Sequence, residues 1–335
     1  MGDIIDVSDL VLVYADGTKA VDDITFNVKE GEFFGFLGPN GAGKSTTIKV
    51  LTTLLKKTSG RIRVAGYDIE HEQGEIRKLI GVEAQESVID PDLTGRENVT
   101  LQGNLQQMKG TSLTERVDEL LRLVELEQVA DKQAGRYSGG MKKRLQLAAS
   151  LVHKPKLLFL DEPTTGLDPQ SRAGIWNYLE KLNKVEGITI FLTTQYLEEA
   201  DKLCGRLAII DFGKIVASGS PAELKREVGA DTIALSLEGG RDGETAVAKK
   251  ILGGVEGVTE VFDSDGGLTA HAKDASRLIA NVVRALDEGG VRLSSLNVST
   301  PSLDDVFLKH TGRRIRAEEL GKRPEMVFGM RRLRR

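Results

Sequence analysis

The sequence lacks the residues on which several classes of protein depend. Its single cysteine, Cys204, excludes a disulfide framework and cysteine-based zinc sites, and fits a reducing cytosol. No uncharged apolar run approaches the roughly 18 residues of a membrane span. Asp3 and Asp6 stand where a signal peptide would be basic and then apolar. We therefore expect a cytoplasmic protein whose chain does not cross a membrane.

A strong charge of one sign is also missing. The 46 lysines and arginines stand against 50 acidic residues and give a net charge of −4. No global basic field therefore indicates a nucleic-acid partner. The apolar fraction of 40 % and the charged fraction of 29 % are ordinary for a folded globular chain. At roughly 150 residues per domain, the length predicts about two domains.

The first domain is predicted over residues 1–228 from alternating strand and helix patterns. Such alternation predicts a mainly parallel sheet that is covered on both faces. Between about residues 95 and 135 the pattern is purely helical, and we expect a helical subdomain over about 86–150. The predicted strands of this domain are Ile4–Val13, Ile24–Val28, Phe33–Leu37, Arg61–Val64, Ile80–Glu83, Leu157–Leu160, Thr189–Leu192 and Leu207–Ile210.

A second, smaller domain is predicted over residues 229–312. Its segments read strand, helix, strand, strand, helix, strand, which is the ferredoxin-like order of an α+β domain. Residues 313–335 form a basic tail. A solvated, poorly ordered terminus is one interpretation of the tail, and contact with anionic lipid headgroups is the other.

One glycine-rich segment matches the phosphate-binding loop G-x-x-x-x-G-K-[ST], with a predicted strand before it and a helix after it. Such a loop turns backbone N–H groups toward a phosphate at a helix N-terminus. Lys44 would reach the β- and γ-phosphates, and Ser45 would ligate Mg²⁺. An ordinary glycine-rich turn is the alternative. The nucleotide-binding residues are Gly38, Pro39, Asn40, Gly41, Ala42, Gly43, Lys44, Ser45 and Thr46.

Two carboxylates end the apolar run Leu157–Leu160. Ligands gather at the carboxyl ends of strands in a parallel α/β sheet, so Asp161 and Glu162 are expected near the phosphates. Asp161 would bind the hydration shell of Mg²⁺. Glu162 would face the water that attacks the γ-phosphate.

The segment Tyr137-Ser138-Gly139-Gly140-Met141 closely matches the signature Leu-Ser-Gly-Gly-Gln of ABC ATPases. The first domain therefore resembles an ABC-type ATP-binding domain, with the P-loop NTPase fold. The resemblance implies that Ser138, Gly139 and Gly140 bind a γ-phosphate through hydroxyl and amide groups at the start of a helix. A plain helix cap by Ser138 is the alternative. The outer positions, tyrosine for leucine and methionine for glutamine, depart from the family pattern.

The resemblance implies roles for four more residues. Tyr14 stands where the family places an aromatic that stacks on adenine, although a strand-packing role is the alternative. Gln85 matches the glutamine that contacts Mg²⁺ and moves with the helical insertion. Asp168 belongs to a loop that crosses between two subunits. Gln195 occupies the position of the family's usual histidine, and with Lys44 and Glu162 completes the implied catalytic set.

Within this family the chain is most similar to the ATPase subunits of drug exporters of the daunorubicin-resistance type, through Thr193–Asp201 and Pro301–Phe307. That similarity implies an ATPase that uses ATP and Mg²⁺, forms a homodimer around two ATP molecules, and drives a separately encoded transmembrane permease. The cargo would be a drug or another hydrophobic compound. The subunit would lie on the inner face of the cell membrane, held by the permease, and the basic tail would add a contact only under the second of its two interpretations.

Two other classes fit the motifs less well. ABC ATPases of ribosomes usually fuse two ATPase domains, and those of DNA repair insert a long coiled coil; neither occurs here. A P-loop kinase of small molecules does not account for Ser138-Gly139-Gly140. Asn183-Lys184-Val185-Glu186 lacks the aspartate of a guanine-reading motif, which favours ATP over GTP.

Overall fold

The first two sheets of the protein lie one over the other. The computed structural model describes residues 2–84, 88–238, 242–264 and 267–311. An antiparallel sheet has the order β2-β1-β4-β5, and a six-stranded sheet has the order β10-β9-β3-β8-β7-β6. Their strands are β1 (Asp3–Val13), β2 (Lys19–Lys29), β3 (Phe33–Leu37), β4 (Ser59–Val64), β5 (Tyr67–Asp68), β6 (Ile80–Glu83), β7 (Leu157–Asp161), β8 (Thr189–Thr194), β9 (Arg206–Asp211) and β10 (Lys214–Gly219).

The predicted parallel sheet is confirmed for the second of these sheets, in which β9, β3, β8, β7 and β6 pair in parallel. The strands at the N-terminus do not belong to it but to the antiparallel sheet. β1 and β2 are joined by only five residues, 14–18. A parallel connection needs a crossover of a dozen or more residues, so these two strands pair as an antiparallel hairpin.

Helices cover the parallel sheet and form the predicted insertion. The predicted helix after the phosphate loop ends at Leu51. Within the insertion, between α4 and α5, short 3₁₀ turns lie at Glu127–Val129 and Ala134–Arg136. The helices are α1 (Lys44–Leu51), α2 (Gln73–Leu79), α3 (Gly95–Leu105), α4 (Thr111–Leu123), α5 (Gly139–Ser150), α6 (Pro169–Lys184), α7 (Leu197–Leu203) and α8 (Pro221–Val228). None of the helices in the described part of the chain has the length and apolar character needed to cross a membrane.

Two buried clusters hold the parallel sheet between its covering layers. On one side Phe34, Phe36 and Phe191 pack with Phe26 of the antiparallel sheet, with ring centroids 5.4–6.0 Å apart for the pairs that include Phe26. On the other side, residues such as Leu37 pack with the helical insertion. Because neighbouring residues of a strand face opposite sides, β3 contributes to both clusters.

The third sheet is confirmed as ferredoxin-like, with antiparallel pairs in the order β12-β13-β11-β14. It and two helices bury a separate apolar cluster. The predicted boundary at residues 228 and 229 lies just after α8 and stays a prediction. The elements are β11 (Asp231–Leu237), α9 (Asp242–Gly253), β12 (Val258–Ser264), β13 (Gly267–Ala272), α10 (Ala275–Glu288) and β14 (Leu293–Ser299). The basic tail, 313–335, lies outside the described residues.

A last helix, α11 (Leu303–Thr311), leaves the third sheet and packs on α8, α7 and β10. Leu303, Val306 and Phe307 are buried in the cluster that contains the helical insertion and one face of the parallel sheet. The chain thus returns to the first unit after the third sheet is complete.

A buried carboxylate ends β6. Glu83 lies 3.5 Å from the Nζ atom of Lys143 on α5, and its side chain is 3 % exposed. Burial raises the pKa of Glu83 to about 7, and the nearby Lys143 charge offsets only part of this effect. The adjacent carbonyl of Ala84 accepts a hydrogen bond from Gln146 of the same helix at 2.9 Å. β6 is therefore tied to α5 by one charged and one neutral contact.

We expect Glu83 to make stability depend on pH. Its pKa in the folded state lies above the ordinary value of 4.5, so between these values the folded state holds a proton that the unfolded state has lost. The free energy of unfolding therefore falls as pH rises through this window, by up to about 3 kcal/mol. Urea unfolding at pH 5 and pH 8 should show that Glu83→Gln gains stability relative to the parent protein at the higher pH.

The variant must be compared with the parent protein because a second group also makes stability depend on pH: burial lowers the pKa of His153. That group contributes the opposite slope, and both proteins share it. An identical pH dependence in the Glu83→Gln variant and the parent protein would show that Glu83 is not the group responsible.

Candidate active site

The glycine-rich loop joins β3 to α1, as predicted, and two of its glycines have no room for a side chain. A Cβ atom at Gly38 would lie 2.3 Å from the carbonyl oxygen of Ile210 on β9. Gly43 has φ +103°, and a Cβ atom there would lie 2.5 Å from the carbonyl oxygen of Ala20 on β2. Glycine is thus required where the loop passes between these two strands.

Lys44, the first residue of α1, is buried inside this loop. Its ammonium donates hydrogen bonds to the carbonyl oxygens of Gly38, at 2.8 Å, and Pro39, at 2.9 Å. It also lies 3.1 Å from Oε1 of Glu162. Phosphate oxygens can replace these oxygen partners. Because the ammonium is already buried, the exchange adds no further cost for removing it from water.

Ser45 and Asp161 meet across the end of the parallel sheet. The Ser45 hydroxyl donates to Oδ1 of Asp161 at 2.9 Å, and the Thr193 hydroxyl of β8 donates to the same oxygen at 2.6 Å. Asp161 is buried at the carboxyl end of β7. A hydroxyl and a carboxylate are hard oxygen donors of the kind that Mg²⁺ prefers, so the side chains present fit this ion.

Glu162 has an unusual backbone conformation, with φ +52°. For a residue other than glycine this region costs on the order of 1–2 kcal/mol. Its N–H donates to the carbonyl oxygen of Thr193 at 3.1 Å and to the Thr193 hydroxyl at 3.2 Å. The Thr165 hydroxyl donates to Oε2 at 3.4 Å. These bonds hold the strained residue so that its buried carboxylate stays beside Lys44.

A cleft of about 710 Å³ opens over these residues and gathers most of the predicted nucleotide site. Tyr14 is 39 % exposed there and its hydroxyl lies 3.1 Å from that of Thr46, which argues against a purely core-packing role. Gln195 lies at the same cleft as Lys44 and Glu162. The predicted residues that line it are Tyr14, Asn40, Gly41, Gly43, Lys44, Ser45, Thr46, Glu162 and Gln195.

Other lining residues were not predicted from the sequence. They come from the turn after β1, the start of β2, the loop after β7 and the turn between β9 and β10. The Asp-Phe-Gly-Lys segment between the last two strands is a turn signal that would have pointed to part of this set. The additional residues are Thr18, Lys19, Ala20, Thr165, Phe212 and Gly213.

Ser138, Gly139, Gly140 and Asp168 do not line this cleft. Ser138 caps α5 by accepting a hydrogen bond from the N–H of Met141 at 3.2 Å, and it lines a second cleft of about 630 Å³ between α4, α5 and α6. Asp168 caps α6 through the N–H and hydroxyl of Ser171. Gln85 lies outside the described residues.

The tyrosine of the signature has a structural reason. The Tyr137 hydroxyl donates to the carbonyl oxygen of Val129 at 2.7 Å, while its ring is buried in the core of the helical insertion. A leucine would fill part of the space but would lose this hydrogen bond, and the Val129 carbonyl would keep only the N–H of Lys132 at 2.9 Å. This departure from the family pattern thus ties the signature to the 3₁₀ turn Glu127–Val129.

Glu199 connects the loop after Glu162 with α6 and α7, and no role for it was predicted from the sequence. This buried carboxylate on α7 accepts hydrogen bonds at Oε1 from the Thr164 hydroxyl at 2.8 Å and from Nε1 of Trp176 at 2.9 Å. Burial raises the pKa of Glu199. It thereby links the loop after Glu162 to the helix that follows Gln195.

Comparison with known proteins identifies the family. A model described as ABC transporter matches residues 21–165, and one described as ATP-binding protein DrrA1-3-like, C-terminal domain, matches residues 219–311. The daunorubicin resistance ATP-binding protein DrrA3 of Streptomyces coeruleorubidus is 44 % identical over 90 % of this chain and 94 % of its own. The chain belongs to the ABC transporter ATP-binding proteins. It therefore binds and hydrolyses ATP, as the phosphate-binding loop and signature predicted.

Other members of the family agree with this assignment. The linearmycin resistance ATP-binding protein LnrL of Bacillus subtilis is 38 % identical over 88 % of this chain and 94 % of its own. Among solved structures, the ABC subunit cbiO1 of Clostridium perfringens has 32 % identity and a TM-score of 0.62, over 68 % of this chain and 95 % of that one. The ATP-binding cassette MJ0796, dimeric with ADP and Pi, has 28 % identity and a TM-score of 0.59, over 64 % and 98 %.

Proposed function

We propose that this ABC ATPase forms a homodimer that encloses two ATP molecules and powers a separately encoded permease. One observation supports the dimer above the others: Lys44 and Glu162 share one cleft, whereas Ser138 and Gly140 line a different one. The family's signature acts on a γ-phosphate, so the signature of a second copy would complete each site. A chain with one phosphate loop and one signature fits this arrangement.

The residues of the cleft divide the chemistry among them. Lys44 would exchange its carbonyl and carboxylate partners for the β- and γ-phosphate oxygens. Ser45, Asp161 and Gln85 would hold Mg²⁺, whose charge would offset that of the phosphates. Glu162 would orient and polarise the attacking water, and Gln195 would donate an amide hydrogen bond to the γ-phosphate. Catalysis would rest on positioning and electrostatics, since phosphoryl transfer needs little covalent help from the protein.

The remaining proposed ATP contacts surround these groups. The backbone of the loop from Gly38 to Gly43 would cradle the phosphates, and Tyr14 would stack on adenine. Asp168 would lie in the loop that meets the second subunit. With no guanine-reading motif in the chain, ATP is the proposed substrate.

The permease would dock on the surface between the parallel sheet and the helical insertion. A cleft of about 290 Å³ lies there, lined by Leu54, Val82 and residues of α3 and α5. Leu54 is exposed, as are Leu101 and Leu105 on α3. Exposed apolar groups gathered beside a cleft are typical of an interaction site. In the sequence Gln85 comes two residues after the end of β6 at Glu83, so a permease bound beside β6 would act close to the residue proposed to contact Mg²⁺.

The cargo and the location follow from the relatives and the partner. Relatives at 38–44 % identity are named for resistance to daunorubicin and linearmycin, so we propose export of a drug or another hydrophobic compound. The subunit would lie on the cytoplasmic face of the cell membrane through its permease. The basic residues of 313–335 would add contact with anionic headgroups.

Substitution in the docking surface tests the permease proposal. We expect Leu54→Glu, at an exposed residue that lines this cleft, to reduce co-purification of the permease at least tenfold when both proteins are expressed together, because a charge would have to be buried at the contact. Val185→Glu is the matched control, since Val185 is equally exposed but does not line this cleft. Pull-down from detergent-solubilised membranes measures the partner, and urea unfolding verifies that each variant is folded. Equal recovery with both variants would contradict the docking surface.

A further inference from the structure

Phe212 is a large apolar side chain in an unexpected position. It lies in the turn between β9 and β10, it is 75 % exposed, and its φ is +46°. A bulky residue in the left-handed region is strained. Neither the exposure nor the backbone conformation favours phenylalanine on stability grounds, so a contact made by the ring is the better explanation.

The turn is held firmly against the phosphate-binding loop. The N–H of Gly213 donates to the carbonyl oxygen of Ala42 at 3.0 Å, and the carbonyl oxygen of Gly213 accepts from the N–H of Asp22 at 2.9 Å. These bonds join the turn to the loop on one side and to β2 on the other. The aromatic ring is therefore presented from a backbone whose place beside the loop is fixed.

The ring lines the same cleft of about 710 Å³ as the phosphate-binding residues. Among the described residues that line it, Tyr14 and Phe212 are the aromatic ones. Polar groups such as Lys44 and Ser45 suit phosphates. An aromatic ring has no donor or charge for a phosphate, but it stacks well on a purine base.

We propose that Phe212 is a second binding contact for the purine base, acting together with Tyr14. The proposal rests on the proposed placement of the nucleotide in this cleft. Phe212 would add to the affinity for the nucleoside part of the ligand, while Lys44 and the loop amides bind the phosphates. It would therefore favour purine nucleotides over ligands that carry the same phosphates without a base.

Binding of ADP and of pyrophosphate to the full chain separates these contributions, and neither ligand is hydrolysed by the ATPase reaction. Titration calorimetry with Phe212→Ala should show ADP binding weakened about tenfold, the range of one lost base–aromatic contact, and pyrophosphate binding unchanged. Phe212→Tyr should restore ADP affinity. Val185→Ala, another exposed apolar position outside the cleft, is the control and should bind ADP like the parent protein.

Three results for Phe212→Ala would overturn the proposal. ADP affinity within twofold of the parent protein in Phe212→Ala would show that the ring does not touch the base, as would a change in dimerisation alone. Equal weakening of ADP and pyrophosphate would indicate a distorted loop instead. Lys44→Ala tests the proposed placement of the nucleotide in this cleft, because it should weaken the binding of both ADP and pyrophosphate. If Lys44→Ala changes neither, the nucleotide site itself is misplaced and both proposals fail.

Discussion

We expect Glu162→Gln to bind ATP and to hydrolyse it about 10²–10⁴-fold more slowly, the range for loss of a positioned proton acceptor. Glutamine keeps the shape of the side chain and an oxygen for the Thr165 hydroxyl, but it cannot polarise water as a carboxylate does. Because Lys44 loses its carboxylate partner at 3.1 Å, its ammonium is more available to phosphate. ATP affinity should therefore be retained or improved.

Turnover is measured by phosphate release, and oligomeric state by size-exclusion chromatography with Mg-ATP. An ATP-bound dimer should accumulate in the variant, because the step that reopens it is blocked. Glu75→Gln, an exposed residue of α2, is the matched control and should behave like the parent protein. Parental turnover in Glu162→Gln would remove Glu162 from the catalytic set.

The second large effect is expected at Gln195, where the family usually has histidine. Histidine both donates a hydrogen bond and gains a proton near neutral pH, whereas glutamine keeps a donor without ever carrying charge. If the role is to hold the γ-phosphate, Gln195→Ala should lower turnover about 10²–10³-fold, as the loss of one aligned donor does elsewhere. Gln195→His should remain active.

Steady-state ATPase assays over a range of ATP concentrations measure both variants. Gln128→Ala, in an exposed 3₁₀ turn of the helical insertion, controls for the loss of an amide side chain. Full activity of Gln195→Ala would exclude Gln195 from hydrolysis. An inactive Gln195→Ala together with a Gln195→His variant far faster than the parent protein would indicate proton transfer instead.

The site was predictable where a short segment dictates its own geometry. The phosphate-binding loop is contiguous, so its glycines and Lys44 predict one backbone conformation and one ligand class. Asp161 and Glu162 stand at the carboxyl end of β7, as the apolar run before them predicted, because the end of a buried parallel strand is fixed by the sheet. Contacts between segments that are distant in the sequence were harder to predict. The Thr193 hydroxyl on Asp161 and the Glu199 link to Thr164 depend on which strands and helices become neighbours.

The same distinction applies to the fold. Strand and helix periodicity predicted the parallel strands and the whole third sheet, since each of these segments buries one regular face. Periodicity does not state which sheet a strand joins, so it did not separate β1 and β2 from the strands of the parallel sheet. The Asp-Phe-Gly-Lys turn signal could have placed Phe212 in a turn, but an aromatic residue there becomes informative only when the cleft beside it is known.

The return of α11 gives the chain the topology of an insertion. The third sheet and its helices are encoded between α8 and α11, and these two helices pack on each other. A protein cut after Val228 would therefore lose Phe307 from the main core and expose the apolar side of Leu224. A shorter segment between α8 and α11 would keep the packing of these two helices on each other. We therefore expect that the third sheet and its helices can be exchanged between α8 and α11. Removing everything after Val228 would instead damage the ATPase domain.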